Sequence, residues 1–276
     1  MALPGESGAG GTPGLILFPL SIVLTGLAAQ EFVQLAQARG IQVLRSVVIC
    51  GSMAIVAATG ISAFVTEDAL PQFAWPMLAT LLCVNAAFLF EMRRFDGKAA
   101  VMPQLGADVL GLLYVGGLMA SVALMRWLGP NGVWGIPALA SLVIVVKLAD
   151  IGAYTVGRLF GKHKMTPVLS PGKTWEGAAG AMIFGCLGSW LAIELLLPAA
   201  CPKETMPKFF PLAWLVYGVV ITPLGMTGDL AESLLKRDAG KKDSSDWMPG
   251  FGGVLDILDS ILFAAPAALL FWHLFA

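Results

Sequence analysis

Charged residues are scarce in this sequence. They make up 13% of its 276 residues, against roughly 25% in a soluble domain. Histidine occurs only twice, which is too few for a His-based metal site. The four cysteines, Cys50, Cys83, Cys186 and Cys201, form no CxxC pair. The cysteines therefore predict neither a zinc framework nor a disulfide framework, and the low charge argues against an ordinary soluble domain.

Hydrophobic residues, in contrast, make up 57% of the chain, and mean hydropathy is +0.80. Apolar runs of about 20 residues recur, which is the length that crosses a bilayer as a helix. The runs are continuous and lack the period of two that a β-barrel requires. The sequence therefore predicts an all-α polytopic integral membrane protein with about eight transmembrane helices in one bundle. The predicted spans are 15–35, 44–65, 72–91, 105–127, 132–157, 175–198, 209–232 and 254–275.

No internal repeat is apparent, and no soluble segment is long enough to stand alone. We therefore expect a single transmembrane domain over residues 15–276, preceded by a flexible Gly/Pro tail over residues 1–14. Residues 15–130 carry few polar motifs and are interpreted as a scaffold half. Residues 140–276 carry the polar motifs and are interpreted as the catalytic half.

Basic residues concentrate on one side of the predicted topology. With the N-terminus outside, 13 of the 17 Lys and Arg residues lie in loops on the opposite side. By the positive-inside rule that side is cytoplasmic, and a prokaryotic inner membrane is the expected setting. These residues are Arg39, Arg45, Arg93, Arg94, Lys98, Arg158, Lys162, Lys164, Lys173, Lys236, Arg237, Lys241 and Lys242.

One segment, residues 229–260, contains 11 of the 35 charged residues (17 basic and 18 acidic). Ionisable residues beside a membrane core are candidates for a functional site because charge is costly there. Asp229, Glu232 and Ser233 share one helix face at the end of a span, and Asp256 and Asp259 do so at the start of the next. Carboxylate oxygens suit Mg²⁺ or Ca²⁺. Salt bridges to nearby lysine and arginine residues are the structural alternative.

Two further polar groups lie upstream. Lys147 and Asp150, at i and i+3, either form a self-neutralising pair or take a direct role. Residues 170–177 superficially resemble the end of a Walker motif. Pro167 stands where that motif needs glycine, and no strand is expected before it, so we reject a P-loop. Ser170 or Thr174 is expected to cap the following helix, which leaves Lys173 for a phosphate at the helix N-terminus.

A long, spaced pattern runs from Ser233 to Asp259. It combines a Lys-Arg pair, a Lys-Asp pair, a Pro-Gly-x-Gly-Gly turn and two aspartates. The turn either lets backbone approach a ligand or only reverses the chain. The pattern resembles the signature of the phosphatidate cytidylyltransferases, and Glu31-Phe32, residues 150–164 and residues 170–177 are also similar to that family. The matching positions are Ser233, Lys236, Arg237, Lys242, Asp243, Pro249, Gly250, Gly252, Gly253, Asp256 and Asp259.

Two positions depart from the family pattern. Phe251 stands where the family usually has histidine, and Ile257 stands where it usually has arginine. An imidazole therefore cannot act at position 251, and one cation is missing near the phosphates. The carboxylates and lysines are intact, so the reaction class is expected to be retained.

The resemblance implies that CTP and phosphatidic acid react to give CDP-diacylglycerol and pyrophosphate with Mg²⁺ at a membrane. It leaves open a second, monovalent cation and a homodimer, and it implies no nucleic-acid partner. The implied metal ligands are Asp229, Asp256 and Asp259. The implied catalytic residues are Asp229, Lys236, Arg237, Lys242, Asp243 and Asp256. The implied substrate-binding residues are Ser170, Lys173, Thr174, Ser233, Gly250, Gly252 and Gly253.

Two other functions compete with this one. A different CTP-dependent lipid enzyme, such as a polyprenol kinase or a cytidylyltransferase for another lipid phosphate, would use similar groups. An ion-coupled transporter would also place acidic residues within a membrane. A transporter would favour acids at mid-bilayer and an inverted repeat, whereas the acids here cluster towards one surface.

Overall fold

A computed structural model of the chain describes residues 14–61, 70–97, 100–245 and 252–276. A π-helical segment, Leu112–Gly117, joins the helices Val101–Gly111 and Leu118–Met125, and a second, Leu191–Leu196, joins the helices Trp175–Trp190 and Leu197–Ala200. The helices are α1 (Gly14–Ala38), α2 (Arg45–Ala58), α3 (Ala74–Arg94), α4 (Val101–Gly111), α5 (Leu118–Met125), α6 (Gly135–Phe160), α7 (Trp175–Trp190), α8 (Leu197–Ala200), α9 (Ala213–Asp238) and α10 (Val254–Phe275).

Seven helical stretches within the described ranges are long and apolar enough to cross a membrane. The all-α polytopic membrane fold is thereby confirmed. α4 and α5 form one such stretch, Val101–Met125, and α7 and α8 form another, Trp175–Ala200. The count of eight is not confirmed, because α2 has only 14 residues. That length corresponds to about 21 Å, which is shorter than the roughly 30 Å hydrocarbon core.

A two-stranded antiparallel hairpin interrupts the helical chain between α6 and α7. It pairs β1 (Lys164–Thr166) with β2 (Ser170–Thr174), and Lys164 lies opposite Thr174. The expectation that no strand precedes Ser170 was therefore wrong. The P-loop remains excluded, because Ser170 to Thr174 form an extended strand where a Walker motif would form a loop around phosphate.

The chain divides into two compact units. Unit 1 comprises the described residues up to Leu124 together with Leu235–Leu258, and unit 2 comprises Met125–Leu234 together with Asp259–Ala276. The scaffold and catalytic halves predicted from the sequence concern function and stay a prediction. The predicted tail lies outside the described residues, except for Gly14, at which α1 begins.

In unit 1, a backbone N–H group at the start of one helix is hydrogen-bonded to a side chain of another helix. The buried Asp108 of α4 accepts a hydrogen bond from the backbone N–H of Leu44, 2.8 Å away, just before α2. The first N–H groups of a helix have no partner within it, so this carboxylate supplies one. Gly111 permits close packing beside it, because an added Cβ would lie 2.8 Å from side-chain atoms of Phe32 and Val48.

Unit 2 is built on the pairing of α6 with α7. A Cβ on Gly152 of α6 would lie 2.6 Å from the carbonyl oxygen of Gly180 in α7. Small residues at such positions let two membrane helices approach closely. A buried polar contact adds specificity, since Ser141 in α6 lies within hydrogen-bond distance of the Tyr217 hydroxyl (3.1 Å) and the Trp272 indole nitrogen (3.2 Å).

Candidate active site

Asp256 is the centre of a polar cluster in unit 1. It lies in the first turn of α10, and its Oδ2 accepts hydrogen bonds from the Gly253 N–H (2.7 Å), the Ser244 N–H (3.0 Å) and the Ser244 hydroxyl (2.6 Å). Its Oδ1 forms an ion pair with Lys236 of α9. The bond from Gly253 resembles the return bond of a capping box. Asp256 therefore fixes the start of α10 and holds a lysine.

Glu31 of α1 completes the same helix start. Its side chain is buried, and its two oxygens accept hydrogen bonds from the N–H groups of Val254 (2.9 Å) and Leu255 (2.8 Å). The Ser244 hydroxyl oxygen also lies 3.0 Å from Oε2 of Glu31, so its single proton is shared between Glu31 and Asp256. A carboxylate is favoured at a helix N-terminus by the unpaired N–H groups and the helix dipole. Glu31 belongs to the motifs that resemble the family, although the sequence predicts no role for it. Ser244 is not among the predicted site residues.

The glycines of the predicted turn have a structural reason for their identity. Gly252 has φ of +78°, a conformation that side chains disfavour. A Cβ on Gly253 would collide with the Ser244 hydroxyl and with the carboxylate of Glu31. Gly250, predicted to contact substrate, lies outside the described residues, as do Pro249 and Phe251.

The remaining predicted residues of unit 1 lie at or after the end of α9. Gly240, with φ of +68°, follows this end, as is common at helix C-termini. The Arg237 guanidinium donates to the carbonyl oxygen of Lys241 at 3.4 Å. Lys242 and Asp243 are exposed. The basic residues at this end are therefore accessible to an anionic ligand.

Lys173 and Asp229 form an ion pair in unit 2. The lysine lies on β2, and its Nζ is 2.8 Å from Oδ2 of Asp229 in α9. The same ammonium donates to the carbonyl oxygen of Met226 at 3.3 Å. On the far side, the Ser233 hydroxyl donates to Oδ1 of Asp229 at 3.5 Å. The hairpin thus brings a predicted phosphate-binding lysine to a predicted metal ligand.

Two further carboxyl groups lie in the same part of unit 2. Asp259 of α10 and Glu232 of α9 are buried and hydrogen-bonded to each other. Asp259 also interacts electrostatically with Asp229. Gly228 allows this approach, because an added Cβ would lie 2.5 Å from the carbonyl oxygen of Asp259. Two carboxyl groups in contact need a proton or a cation between them, since like charges disfavour each other.

The predicted pair of Lys147 and Asp150 is present, with the Lys147 Nζ 3.4 Å from Oδ2 of Asp150. Asp150 also interacts electrostatically with Lys173 and Asp229. The pair is therefore not isolated. It extends the polar cluster of unit 2 along α6 into a membrane-spanning segment.

The capping prediction at the start of α7 is confirmed for Thr174. Its hydroxyl accepts a hydrogen bond from the Gly177 N–H at 3.1 Å. Glu176 accepts bonds from the N–H groups of Lys162 (3.1 Å) and His163 (3.2 Å), and it contacts the His163 ring at 2.6 Å. Ser170 lies on β2. These contacts anchor the hairpin that carries Lys173.

The predicted metal ligands do not fall into one cluster of protein ligands. Within the described ranges, no group of three or more His, Cys, Asp or Glu side chains is arranged to hold a metal ion. Asp229 and Asp259 belong to unit 2, whereas Asp256 belongs to unit 1. Asp256 forms a salt bridge with Lys236, which is the alternative to metal binding that the sequence left open. The metal assignments remain predictions.

Comparison with known proteins gives the family. The sequence model of the cytidylyltransferase family matches residues 9–275. The chain therefore belongs to the cytidylyltransferase family.

Individual relatives bear the name phosphatidate cytidylyltransferase. The relative from Synechocystis sp. is 29% identical over 273 residues, covering 89% of this chain and 84% of its own length. The relative from Haemophilus influenzae is 39% identical over 132 residues, covering 48% of this chain and 44% of its own length. The relative from Brucella suis is 37% identical over 171 residues, covering 62% of this chain and 58% of its own length. The alignments with the last two thus span less than two thirds of those relatives.

Proposed function

We propose that this protein is a phosphatidate cytidylyltransferase that converts CTP and phosphatidic acid into CDP-diacylglycerol and pyrophosphate. One observation carries the proposal: a chain of the cytidylyltransferase family pairs lysine side chains with carboxylates of its long apolar helices. These pairs are Lys173 with Asp229 and Lys236 with Asp256. The relatives named above support the same reaction.

The reaction needs charge stabilisation more than a strong base. A phosphate oxygen of phosphatidic acid attacks the α-phosphorus of CTP, and a new P–O bond forms. The bond from that phosphorus to the bridging oxygen of the β-phosphate breaks, and pyrophosphate leaves with the electron pair. The nucleophile is already anionic, so positioning and neutralisation of phosphate charge dominate, as in phosphoryl transfer. Phenylalanine at position 251 is compatible with this chemistry.

Lysines held beside carboxylates suit the binding of phosphates. Lys173 is mostly buried and held by Asp229, so its ammonium group is oriented before a substrate arrives. Pre-orientation reduces the conformational cost of binding. We assign Lys173 and Ser170 to phosphate contact in unit 2. In unit 1 we assign the same role to Lys236, Arg237 and Lys242, and we place Asp243 beside them.

Two acidic residues of unit 2 are the ligands that we propose for a divalent cation. Asp259 interacts with Asp229 and with Glu232, and the contact between Glu232 and Asp259 requires a proton or a cation. Mg²⁺ is typically bound by one or two carboxylates, with substrate phosphates completing its shell. When bound, the ion would supply neutralisation of phosphate charge. We assign Asp229 and Asp259 as its ligands, and Asp256 remains a predicted ligand. A second, monovalent cation is left open.

The setting of the reaction is part of the proposal. We place the protein in a prokaryotic inner membrane, with CTP arriving from the cytoplasm and phosphatidic acid from the bilayer. The excess of basic residues on one side of the predicted topology supports the cytoplasmic placement. A homodimer is compatible with the proposal but is not required by it.

The proposal is tested with CTP labelled on its α- or γ-phosphate. Purified protein in detergent is incubated with Mg²⁺ and phosphatidic acid, and the lipid fraction is counted. We expect the α-label to enter lipid and the γ-label to leave as pyrophosphate. Transfer of the γ-label to lipid would identify a kinase and overturn the proposal. Lys173→Met serves as the inactive comparison.

A further inference from the structure

A groove of about 500 Å³ lies along α6 in unit 2, facing the π-helical segment between α7 and α8. Its walls are almost entirely apolar, so it suits a hydrocarbon chain better than a polar ligand. π-Helical segments of this kind often occur at functional sites. The principal lining residues are Val143, Ile144, Leu148 and Ile151 on α6, and Leu195 and Leu196 on the π-helical segment.

The position of the groove along α6 indicates what fills it. Val143 lies eight residues after the start of α6 at Gly135, and Ile151 lies nine residues before its end at Phe160. These separations correspond to about 12 and 14 Å along the helix axis. The groove therefore lies in the central part of the span, where a bilayer supplies only hydrocarbon chains.

Two charged residues of α6 relate the groove to the proposed phosphate site. Lys147 lines the groove, and its Nζ is 3.4 Å from Asp150, one turn further along α6. Asp150 interacts electrostatically with Lys173 and Asp229. Charged side chains in the middle of a span are costly and usually mark a substrate or ion pathway. Helix α6 thus carries an apolar groove that continues into a charged cluster.

We propose that this groove binds one acyl chain of the lipid substrate whose phosphate is held at Lys173. This inference rests on the proposed function and deepens it by placing the hydrophobic part of the substrate. A lipid phosphate matches the ammonium groups of Lys173 and Lys147 in charge, and an acyl chain matches the groove in polarity and depth. The groove is then a determinant of acyl-chain preference.

Filling the groove tests this proposal. Ile151→Trp and Leu195→Trp each introduce a ring from one wall, and both residues are about half exposed (50% and 49%), so the protein core is left intact. The matched control is Ile183→Trp, which changes a residue of α7 that is 67% exposed and does not line the groove. Folding is checked by size-exclusion profile and thermal midpoint in detergent.

The measured quantity is kcat/KM for dipalmitoyl phosphatidate divided by kcat/KM for dihexanoyl phosphatidate. We expect this ratio to fall about tenfold in both groove variants, the scale at which a pocket rejects an ill-fitting apolar group. The ratio should stay at the wild-type value in Ile183→Trp. An unchanged ratio, or an equal loss with both substrates, would overturn the proposal.

Failure of the proposed function gives a different result. In that case the wild-type protein forms no CDP-lipid from either substrate, and the groove proposal falls with it. If only the groove proposal is wrong, the wild type is active and the groove variants behave as the control does. The two failures are therefore distinguishable within one experiment.

Discussion

The Glu31 carboxylate accepts a hydrogen bond from the backbone N–H of Val254, a residue 223 positions later in the chain. Glu31 lies about two turns before the end of α1, and Val254 is the first residue of α10. Such a contact fixes where α10 begins, because a helix cannot satisfy its own first N–H groups. Since Asp256 lies in the same first turn, the position of Asp256 depends on Glu31.

Replacing Glu31 should destabilise the fold. In Glu31→Ala, the N–H groups of Val254 and Leu255 lose their acceptor, and an unsatisfied buried donor costs about 1–3 kcal/mol. We expect a lower thermal midpoint in detergent and lower nucleotidyl transfer. The matched control is Glu204→Gln, which alters an exposed carboxylate. Equal midpoints for Glu31→Ala and the control would show that this contact contributes nothing.

Gly253→Ala should be destabilising because of crowding. The new methyl group would meet the Ser244 hydroxyl and the Glu31 carboxylate, and both of these groups are hydrogen-bonded to α10. Overpacking of this kind costs about 1–3 kcal/mol. Gly106→Ala is the control, because nothing lies within 4 Å of the added atom. Thermal unfolding of both variants checks the prediction, and a stable Gly253→Ala protein would contradict it.

Asp256→Ala should abolish formation of CDP-lipid while the protein still inserts into the membrane. The substitution removes the partner of Lys236 and the acceptor for Ser244. Asp256→Asn separates the loss of charge from the loss of hydrogen bonding, because an amide keeps an acceptor for the Gly253 N–H but carries no charge. We expect the Asn variant to retain most stability and little activity in the labelled-CTP assay. Full activity in Asp256→Ala would remove this residue from the active site.

Asp259→Asn should weaken the use of Mg²⁺. If Asp259 is a ligand, the Mg²⁺ concentration for half-maximal activity should rise about 10–100-fold, which is the range for loss of a supporting group at a metal site. Asp238→Asn is the control, because Asp238 is exposed and pairs with Arg39 at 3.2 Å. The Mg²⁺ titration is run at saturating CTP. Identical titrations for the wild type and Asp259→Asn would exclude the ligand role.

The sequence predicts the membrane helices well because length and apolar composition determine whether a segment spans a bilayer. The prediction fails locally at α2 and at the hairpin. α2 ends at Ala58, although its apolar character continues in the sequence beyond that residue. The hairpin of Lys164–Thr166 and Ser170–Thr174 is too short to show periodicity, and its strands exist only through mutual pairing.

The sequence predicts most residues of the candidate site, but it does not predict which side chains contact one another. Spacing along one helix predicted the pair of Lys147 and Asp150, because i and i+3 positions share a face. No such rule connects Lys173 with Asp229, or Ser244 with Asp256, since these contacts depend on packing between distant segments. Ser244 carried no chemical signal of its own, which explains why it was missed.

The π-helical segment Leu191–Leu196 has a consequence for how the sequence can change. A wide turn of this kind holds one residue more than an α-helical turn would. Loss of a single residue there would restore an α-helical turn and remove one side chain from the segment, whereas the following side chains, Leu197 among them, would keep their direction around the axis. In related chains, a one-residue gap at this place would mark a protein in which that wall of the groove has been rebuilt.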